Sequence, residues 1–255
     1  MWIRNKKYRF VAQTDSTNRL LKSLLRDQHL PEGYVVRSGY QLEGRGQGSN
    51  RWESQPGRNL LFSVLLRPVH VAVDEQFILS QMVALAIHRS LQELLPEEAT
   101  AFSLKWPNDI YWNNRKLGGI LIENSLRGGK ITECIIGIGL NINQLHFYSD
   151  APNPVSLCQI SGRRHRLMNV LRNILHHLFE IYVLADYAEV RGAYAQALYR
   201  REGYHSYFAP GNGRFEARIL RVEADGRLVL KEKTGQESGY YFKEVEFLLP
   251  ASGHT

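Results

Sequence analysis

Nine consecutive residues, Gly44-Arg45-Gly46-Gln47-Gly48-Ser49-Asn50-Arg51-Trp52, bring flexible glycines, two guanidinium groups and an indole into one short stretch. Glycine lets a backbone approach a ligand closely, and arginine offers a planar fork of donors that matches carboxylate or phosphate oxygens. The indole adds a face for a flat ring. Such a loop suits an anionic ligand, although glycine with arginine also marks plain surface turns. Three further segments follow in order: Lys105-Trp106-Pro107-Asn108-Asp109-Ile110, Lys116-Leu117-Gly118-Gly119-Ile120-Leu121 and Gly137-Ile138-Gly139-Leu140-Asn141-Ile142-Asn143. Four ligand-type segments in one chain are much harder to obtain by chance than one.

Each singled-out residue also has a purely structural reading. Ser16, Thr17 and Asn18 are good helix N-caps, because their side chains satisfy backbone donors left over at a helix start. Gln41 reads equally as a polar strand end, Lys116 as a hairpin lysine beside Asn113-Asn114, and Trp52 as a half-buried core aromatic. Gly118, Gly119, Gly137 and Gly139 mark either close approach to a ligand or a bulged, twisted strand. Trp106 reads as packing, with Pro107 shaping the turn that presents Asn108 and Asp109.

With these motifs the chain resembles the biotin protein ligases. The resemblance starts at Thr14-Asp15-Ser16-Thr17-Asn18, runs through Gln41, the glycine and arginine loop and Ser54-Gln55-Pro56-Gly57-Arg58-Asn59-Leu60, and reaches Asn141. A similar C-terminal module extends it over nearly the whole chain. It implies an α+β fold, with a class II synthetase-like catalytic domain at residues 1–203, a mixed β-sheet flanked by helices. A small SH3-like β-barrel would occupy residues 204–255.

The same resemblance implies a two-step reaction. Biotin and ATP are the substrates: the biotin carboxylate attacks the α-phosphate, and a lysine of a biotin carrier domain then attacks the biotinyl-adenylate. Arg45 and Lys116 match the family's catalytic cations. Ser16, Thr17, Asn18, Gln41, Arg45, Gly46, Gln47, Lys116 and Gly119 fall at biotin-binding positions, and Arg51, Trp52, Asn108 and Asn141 at ATP and adenylate positions. Asp109 is the expected Mg²⁺ ligand, since Mg²⁺ at nucleotide sites commonly takes one or two carboxylates together with phosphate oxygens. The loop departs from the commonest family pattern at Gln47, where an arginine is frequent, and at Ser49, where a glycine is frequent. Retention of the adenylate is therefore expected to lean on Arg45 and Arg51.

Composition sets bounds independently. A chain of 255 residues with 44% hydrophobic content supports one sizeable core and a smaller one. No apolar run approaches the roughly 20 residues that span a bilayer, and residues 1–7 lack a secretory signal, so a cytoplasmic protein with no membrane association is expected. Cys134 and Cys158 show neither paired nor metal-ligand spacing and read as buried free thiols. The net charge of +7 is spread along the chain. Only thirteen residues precede Thr14, so no helix-turn-helix and no specific DNA binding are expected. Strand edges on the catalytic domain offer pairing with a carrier domain or with a second copy, as a homodimer.

Periodicity supplies the elements. A helix is predicted to open near Asp15 or Ser16, with Leu20, Leu21, Leu24 and Leu25 on one face and Pro31 and Gly33 ending it. Residues 34–38 and 60–66 read as buried strands, 75–95 as a helix stopped by Pro96, and 117–123 and 132–142 as further strands. From 168 to 200 the chain reads as helical, with Leu171, Ile174, Leu175, Leu178, Phe179 and Tyr182 buried. Beyond Gly203 short β runs take over: Arg218 to Val222 and Leu228 to Leu230 around an Asp225-Gly226 turn, Tyr240-Tyr241-Phe242, and Val245 to Leu249.

Other chemistries fit poorly. His176 and Glu180 are one helical turn apart, but two ligands make a polar helix face, not a zinc site. Gly137-Ile138-Gly139 lacks the third glycine and the helix start of a dinucleotide fingerprint, and no serine hydrolase elbow or P-loop is present. Lipoate or octanoyl transferases, which resemble the same catalytic fold, are disfavoured by the 105–109 segment. A biotin-sensing binding module without turnover is disfavoured by Arg45 and Lys116.

Overall fold

The computed structural model describes residues 7–48, 50–148 and 153–248. A seven-stranded mixed sheet carries the larger part: β1 (Tyr8–Val11), β2 (Val35–Ser38), β3 (Leu60–Leu66), β4 (Phe102–Lys105), β5 (Asp109–Trp112), β6 (Arg115–Arg127) and β7 (Lys130–Leu140). Their spatial order is β1-β2-β3-β7-β6-β5-β4, with β1 and β2 parallel and every other neighbour antiparallel.

Strand alternation sorts residues onto the two faces of this sheet. Leu60, Phe62, Val64 and Leu66 of β3 and Ile136, Ile138 and Leu140 of β7 join the main core. That core is closed by α2 (Phe77–Leu94), α4 (Leu167–Leu184) and α5 (Tyr187–Gln196), with α2 packed against both of the other two. On the opposite face the single helix α1 (Thr17–Asp27) covers Val36, Leu65 and Ile135 with Leu21 and Leu24. One helix cannot cover the whole face. The rest of it, over β6 and β7, forms the floor of a cleft.

Most predicted elements appear with shifted ends. The first helix stops at Asp27, ahead of Pro31, and the second β pair is longer than read, because hairpin residues 124–131 continue the ladder to Arg127 and Lys130. The expected helix over 168–200 is broken: Ala185 takes a left-handed conformation (φ 48°), and Asp186 caps the next helix by accepting from the Glu189 N–H at 3.0 Å. A short helix α3 (Leu157–Ser161), with a Ser156 capping box, precedes them.

The C-terminal part is a five-stranded, all-antiparallel sheet in the order β11-β10-β9-β8-β12. Its strands are β8 (His205–Ala209), β9 (Gly213–Val222), β10 (Leu228–Glu232), β11 (Glu237–Tyr240) and β12 (Glu246–Phe247). Tyr241 and Phe242, read as strand, belong to the turn between β11 and β12, and Leu249 lies outside the described residues. No helix among the described residues is long and apolar enough to cross a membrane.

This smaller sheet is fastened to the larger one. Trp106 donates from Nε1 to the Gly226 carbonyl at 2.8 Å, and Arg200 donates to the Leu248 carbonyl at 2.7 Å. The Trp106 indole thus packs, as expected, and also bridges the two sheets. At Gly226 the backbone has φ +90°, and an added Cβ would lie 2.7 Å from the Phe77 ring. Gly226→Ala is therefore expected to lower stability by about 2 to 3 kcal/mol, from backbone strain and overpacking together. Denaturant unfolding measures it; a loss below about 1 kcal/mol would mean that Phe77 yields freely.

Candidate active site

The uncovered part of the sheet, the start of α1 and the loop 44–52 enclose a cleft of roughly 710 Å³, partly open to solvent. Ser16, Thr17, Asn18, Gln41, Arg45, Gly46, Gln47, Arg51, Trp52, Asn108, Asp109, Lys116 and Gly119 all line it. Asn141 does not: it is buried at the end of β7, its backbone N–H donates to the Leu117 carbonyl, and its Oδ1 has no partner among the described residues.

The loop is a distorted hairpin. Arg45 and Arg51 face each other across an antiparallel bridge, Trp52 N–H donates to the Gly44 carbonyl at 2.9 Å, and Gly46 N–H to Asn50 at 2.8 Å. This register puts both exposed guanidiniums at the mouth. It also folds Trp52 back over the sheet, where the indole rests on bare backbone: a Cβ on Gly139 would lie 2.6 Å from Trp52 Cε2. Trp52 Nε1 and Gln47 Oε1 are buried without partners among the described residues, two polar groups that a ligand can satisfy. Ser49 lies outside the described residues.

Opposite the loop, the β5–β6 hairpin sets Lys116 Nζ 2.7 Å from Asp109 Oδ1 and 6.0 Å from the centre of the Trp52 ring. The preceding turn is held by reciprocal bonds between Asn108 and Ile120: side-chain Nδ2 to carbonyl at 2.7 Å and N–H to carbonyl at 2.9 Å. The Trp106–Pro107 peptide at that turn is cis. Lys105 turns away from the cleft, donating to the Tyr111 hydroxyl at 3.1 Å beside the Phe247 ring, and burial holds its pKa below the usual lysine range.

Asp109 is the one carboxylate among the described lining residues, and one of its oxygens already accepts from Lys116. This donor set fits a Mg²⁺ that arrives with phosphate oxygens and water and takes a single carboxylate from the protein, and not a closed protein cage.

At the other end of the cleft Ser16 occupies the N-cap position of α1, but its side chain makes no capping bond among the described residues, so the N-cap expectation holds for its backbone alone. Thr17 N–H donates to Gln41 Oε1 at 2.8 Å, which fixes which way round the Gln41 amide sits, with its nitrogen left to donate. The floor is glycine. Gly119, Gly137 and Gly139 line the cleft, whereas Gly118 does not: its Cβ would run into Leu140 and the Gly139 carbonyl, so packing, not ligand approach, accounts for it.

Two contributors escape motif reading. Asn50 lines the mouth, and Phe242 reaches the cleft from the turn after β11, while an added Cβ on Gly48 would meet Lys243 Nζ of the same turn at 2.9 Å. Nothing local in Tyr240-Tyr241-Phe242-Lys243 announces this. The segment Ser54 to Leu60 stays outside and acts as a clasp, with Asn59 donating to Gln144 Oε1 at 2.6 Å and accepting from the Ile142 N–H at 3.1 Å.

The cleft gathers two exposed arginines, an ion-paired lysine and a set of amides and hydroxyls over a glycine floor, a lining suited to an anionic small molecule. Residues 10–141 match the model of the biotin/lipoate A/B protein ligase family, and the chain belongs to that family. It is 28% identical over 227 residues to the bifunctional ligase/repressor BirA of Bacillus subtilis, covering 85% of this chain and 67% of that protein. To the biotin–[acetyl-CoA-carboxylase] ligase of Mycobacterium tuberculosis it is 33% identical over 134 residues, 52% of this chain and 48% of the other. The fold is shared with the biotin protein ligase of Aquifex aeolicus, solved in complex with biotin and ATP, at a TM-score of 0.76 and 24% identity over 95% of this chain and 98% of that one.

Proposed function

We propose that this protein is a biotin–[biotin carboxyl-carrier protein] ligase. It joins biotin to a specific lysine of a carrier domain, such as that of acetyl-CoA carboxylase, through biotinyl-5'-AMP, with release of pyrophosphate. The observation that carries this reading is the meeting of Lys116, Arg45 and Arg51 with the Thr17–Gln41 pair in one cleft. One end suits two anions and the other a neutral polar ring.

In the first step two anions approach and charge grows on the α-phosphate. Lys116 supplies a compact charge at a fixed position, and Arg45 bridges carboxylate and phosphate oxygens with its fork. Arg51, Trp52 and Asn108 take the nucleotide, Trp52 offering its indole to the adenine. Asn141 acts behind them, holding the strand end. Asp109 would hold Mg²⁺, which neutralises charge on the phosphates when bound. Ser16, Thr17, Asn18 and Gln41 receive the ureido ring, with Gly46 and Gln47 closing over it and Gly119 leaving it room. Residues 1–203 form the catalytic domain and 204–255 an SH3-like barrel that finishes the cleft with Phe242. The edge of β1, unpaired among the described residues and carrying the half-exposed Phe10, is the place for a carrier domain or a second copy to pair. The protein works in the cytoplasm, where its carboxylase partner resides.

Incubation with ATP, magnesium and either biotin or lipoate, following pyrophosphate release and acylation of a biotin carrier domain, tests this. Biotin-dependent release and transfer are expected. Lipoate-dependent transfer, or biotin binding without turnover, would overturn it in favour of the related transferase or a sensor.

A further inference from the structure

Behind the ureido end of the cleft lies a line of polar groups that the reaction chemistry above does not use. Asn18 donates from Nδ2 to Glu123 Oε2 at 2.7 Å and to the Leu121 carbonyl at 3.3 Å. Its Oδ1 sits 2.6 Å from Ser63 Oγ, and Ser63 Oγ lies 2.7 Å from Thr17 Oγ1. Thr17 in turn adjoins Gln41 Oε1 through its N–H at 2.8 Å and its hydroxyl at 3.1 Å. Ser63 and Glu123 do not line the cleft, and Ser63 is fully buried in β3. The line crosses from α1 to two strands of the sheet and back to Gln41.

Proton counting gives the line a direction. The Asn18 amide can be oriented only one way, because a carboxylate and a carbonyl both require its nitrogen. Asn18 Oδ1 is then an acceptor, and Ser63, with a single hydroxyl proton, must donate to it. Ser63 Oγ has no second proton for Thr17, so Thr17 must donate to Ser63 across their 2.7 Å contact. The proton of Thr17 is thereby turned inward, and Gln41 Oε1 accepts from the Thr17 N–H. The alternative, with Thr17 donating to Gln41 and Ser63 to Thr17, leaves two acceptors facing each other at the 2.6 Å contact.

We infer that Glu123 and Ser63 are positioning residues that set the hydrogen-bond polarity of the ureido site. Anchored by the Glu123 carboxylate, the line presents the Thr17 oxygen and the second lone pair of Asn18 as acceptors and the Gln41 nitrogen as a donor. A cyclic urea has the complementary pattern, two N–H donors flanking one C=O acceptor. A ligand whose ring is a protonated guanidine in place of the urea offers only N–H donors and meets a donor facing a donor. Without the anchor, only the longer bond to the Leu121 carbonyl holds Asn18, and its amide and the two hydroxyl protons can reorient to suit either ligand. This inference rests on the reading of the site as a biotin site.

Equilibrium binding of biotin, desthiobiotin and 2-iminobiotin to the wild type and to Glu123→Leu, Glu123→Gln and Ser63→Ala tests it, with KM for ATP as a control. In the Leu and Ala variants biotin and desthiobiotin, which share the ureido group, should weaken together by about 10- to 100-fold, as a misaligned polar site implies. The preference for biotin over 2-iminobiotin should fall about tenfold, since a mobile site no longer rejects the wrong pattern. Glu123→Gln, which keeps an acceptor, should restore most of both, and KM for ATP should stay within about twofold. Thermal unfolding checks that each variant is folded, and Ser63→Ala carries the test if Glu123→Leu is not. Equal weakening of biotin and 2-iminobiotin, or no effect in folded variants, overturns the positioning role. A wild type that binds none of the three overturns the biotin reading itself.

Discussion

Replacing Lys116 with alanine is expected to lower the rate of biotin-dependent pyrophosphate release by roughly 10²- to 10³-fold, the scale for one charge donor aimed at a developing anion. The fold should survive. Lys116 and Asp109 keep side-chain exposures of 28% and 20%, and ion pairs of that kind contribute about 1 kcal/mol or less. Biotin binding measured without ATP should weaken less than the rate falls, because the ureido end lies across the cleft from the ammonium. Arginine should rescue poorly, since a planar fork cannot reproduce a compact charge held 2.7 Å from Asp109. Stopped-flow or coupled pyrophosphate assays give the rate, and calorimetry the affinity. A variant that unfolds would assign Lys116 a structural role, and one that keeps more than a tenth of the rate would remove it from the chemistry.

Gly137→Ala should have the second-largest effect, and on a different quantity. The added Cβ would fall on Asn18 Oδ1 and within 3.0 Å of its Cγ. Asn18 cannot retreat cheaply, being held by Glu123, Leu121 and Ser63. Relief must come from displacing the asparagine or the strand, which corresponds to about 3 kcal/mol and a biotin affinity lower by about two orders of magnitude. Gly119→Ala is the comparison. There the Cβ would meet Asp109 and Trp52 at ordinary contact, 3.5 Å, so the free protein should be undisturbed while ligand space shrinks. Equal stability of the two variants in thermal unfolding would show that Asn18 moves aside without cost.

The sequence made the cleft legible where chemistry and backbone need coincide locally. Ser16 to Asn18, the 44–52 loop, Lys116 and the glycine floor announce themselves because each breaks the pattern of a core element. Ser63 stayed hidden because it sits in Leu60–Leu66, where every residue is buried and one hydroxyl reads as a gap in an apolar run. Glu123 was hidden by the alternation of β6, which makes a carboxylate there look like a solvent-facing residue. Asn141, assigned to the adenylate by the resemblance, stands just behind the cleft lining, where its carbonyl accepts from the Leu157 N–H. The short strands β1, β4 and β5, four residues each, lie near the limit at which periodicity carries a signal. The break at Ala185 depends on a non-glycine left-handed residue, which composition does not mark.

The turn after β11 brings Phe242 against a cleft begun by Thr17, across more than two hundred positions of sequence. Contacts that far apart form late in folding, because the intervening chain must first be ordered. On the ribosome, then, the N-terminal half would emerge with its motifs in hand but with one wall missing. The cleft has all of its described walls only when the turn after β11 is in place.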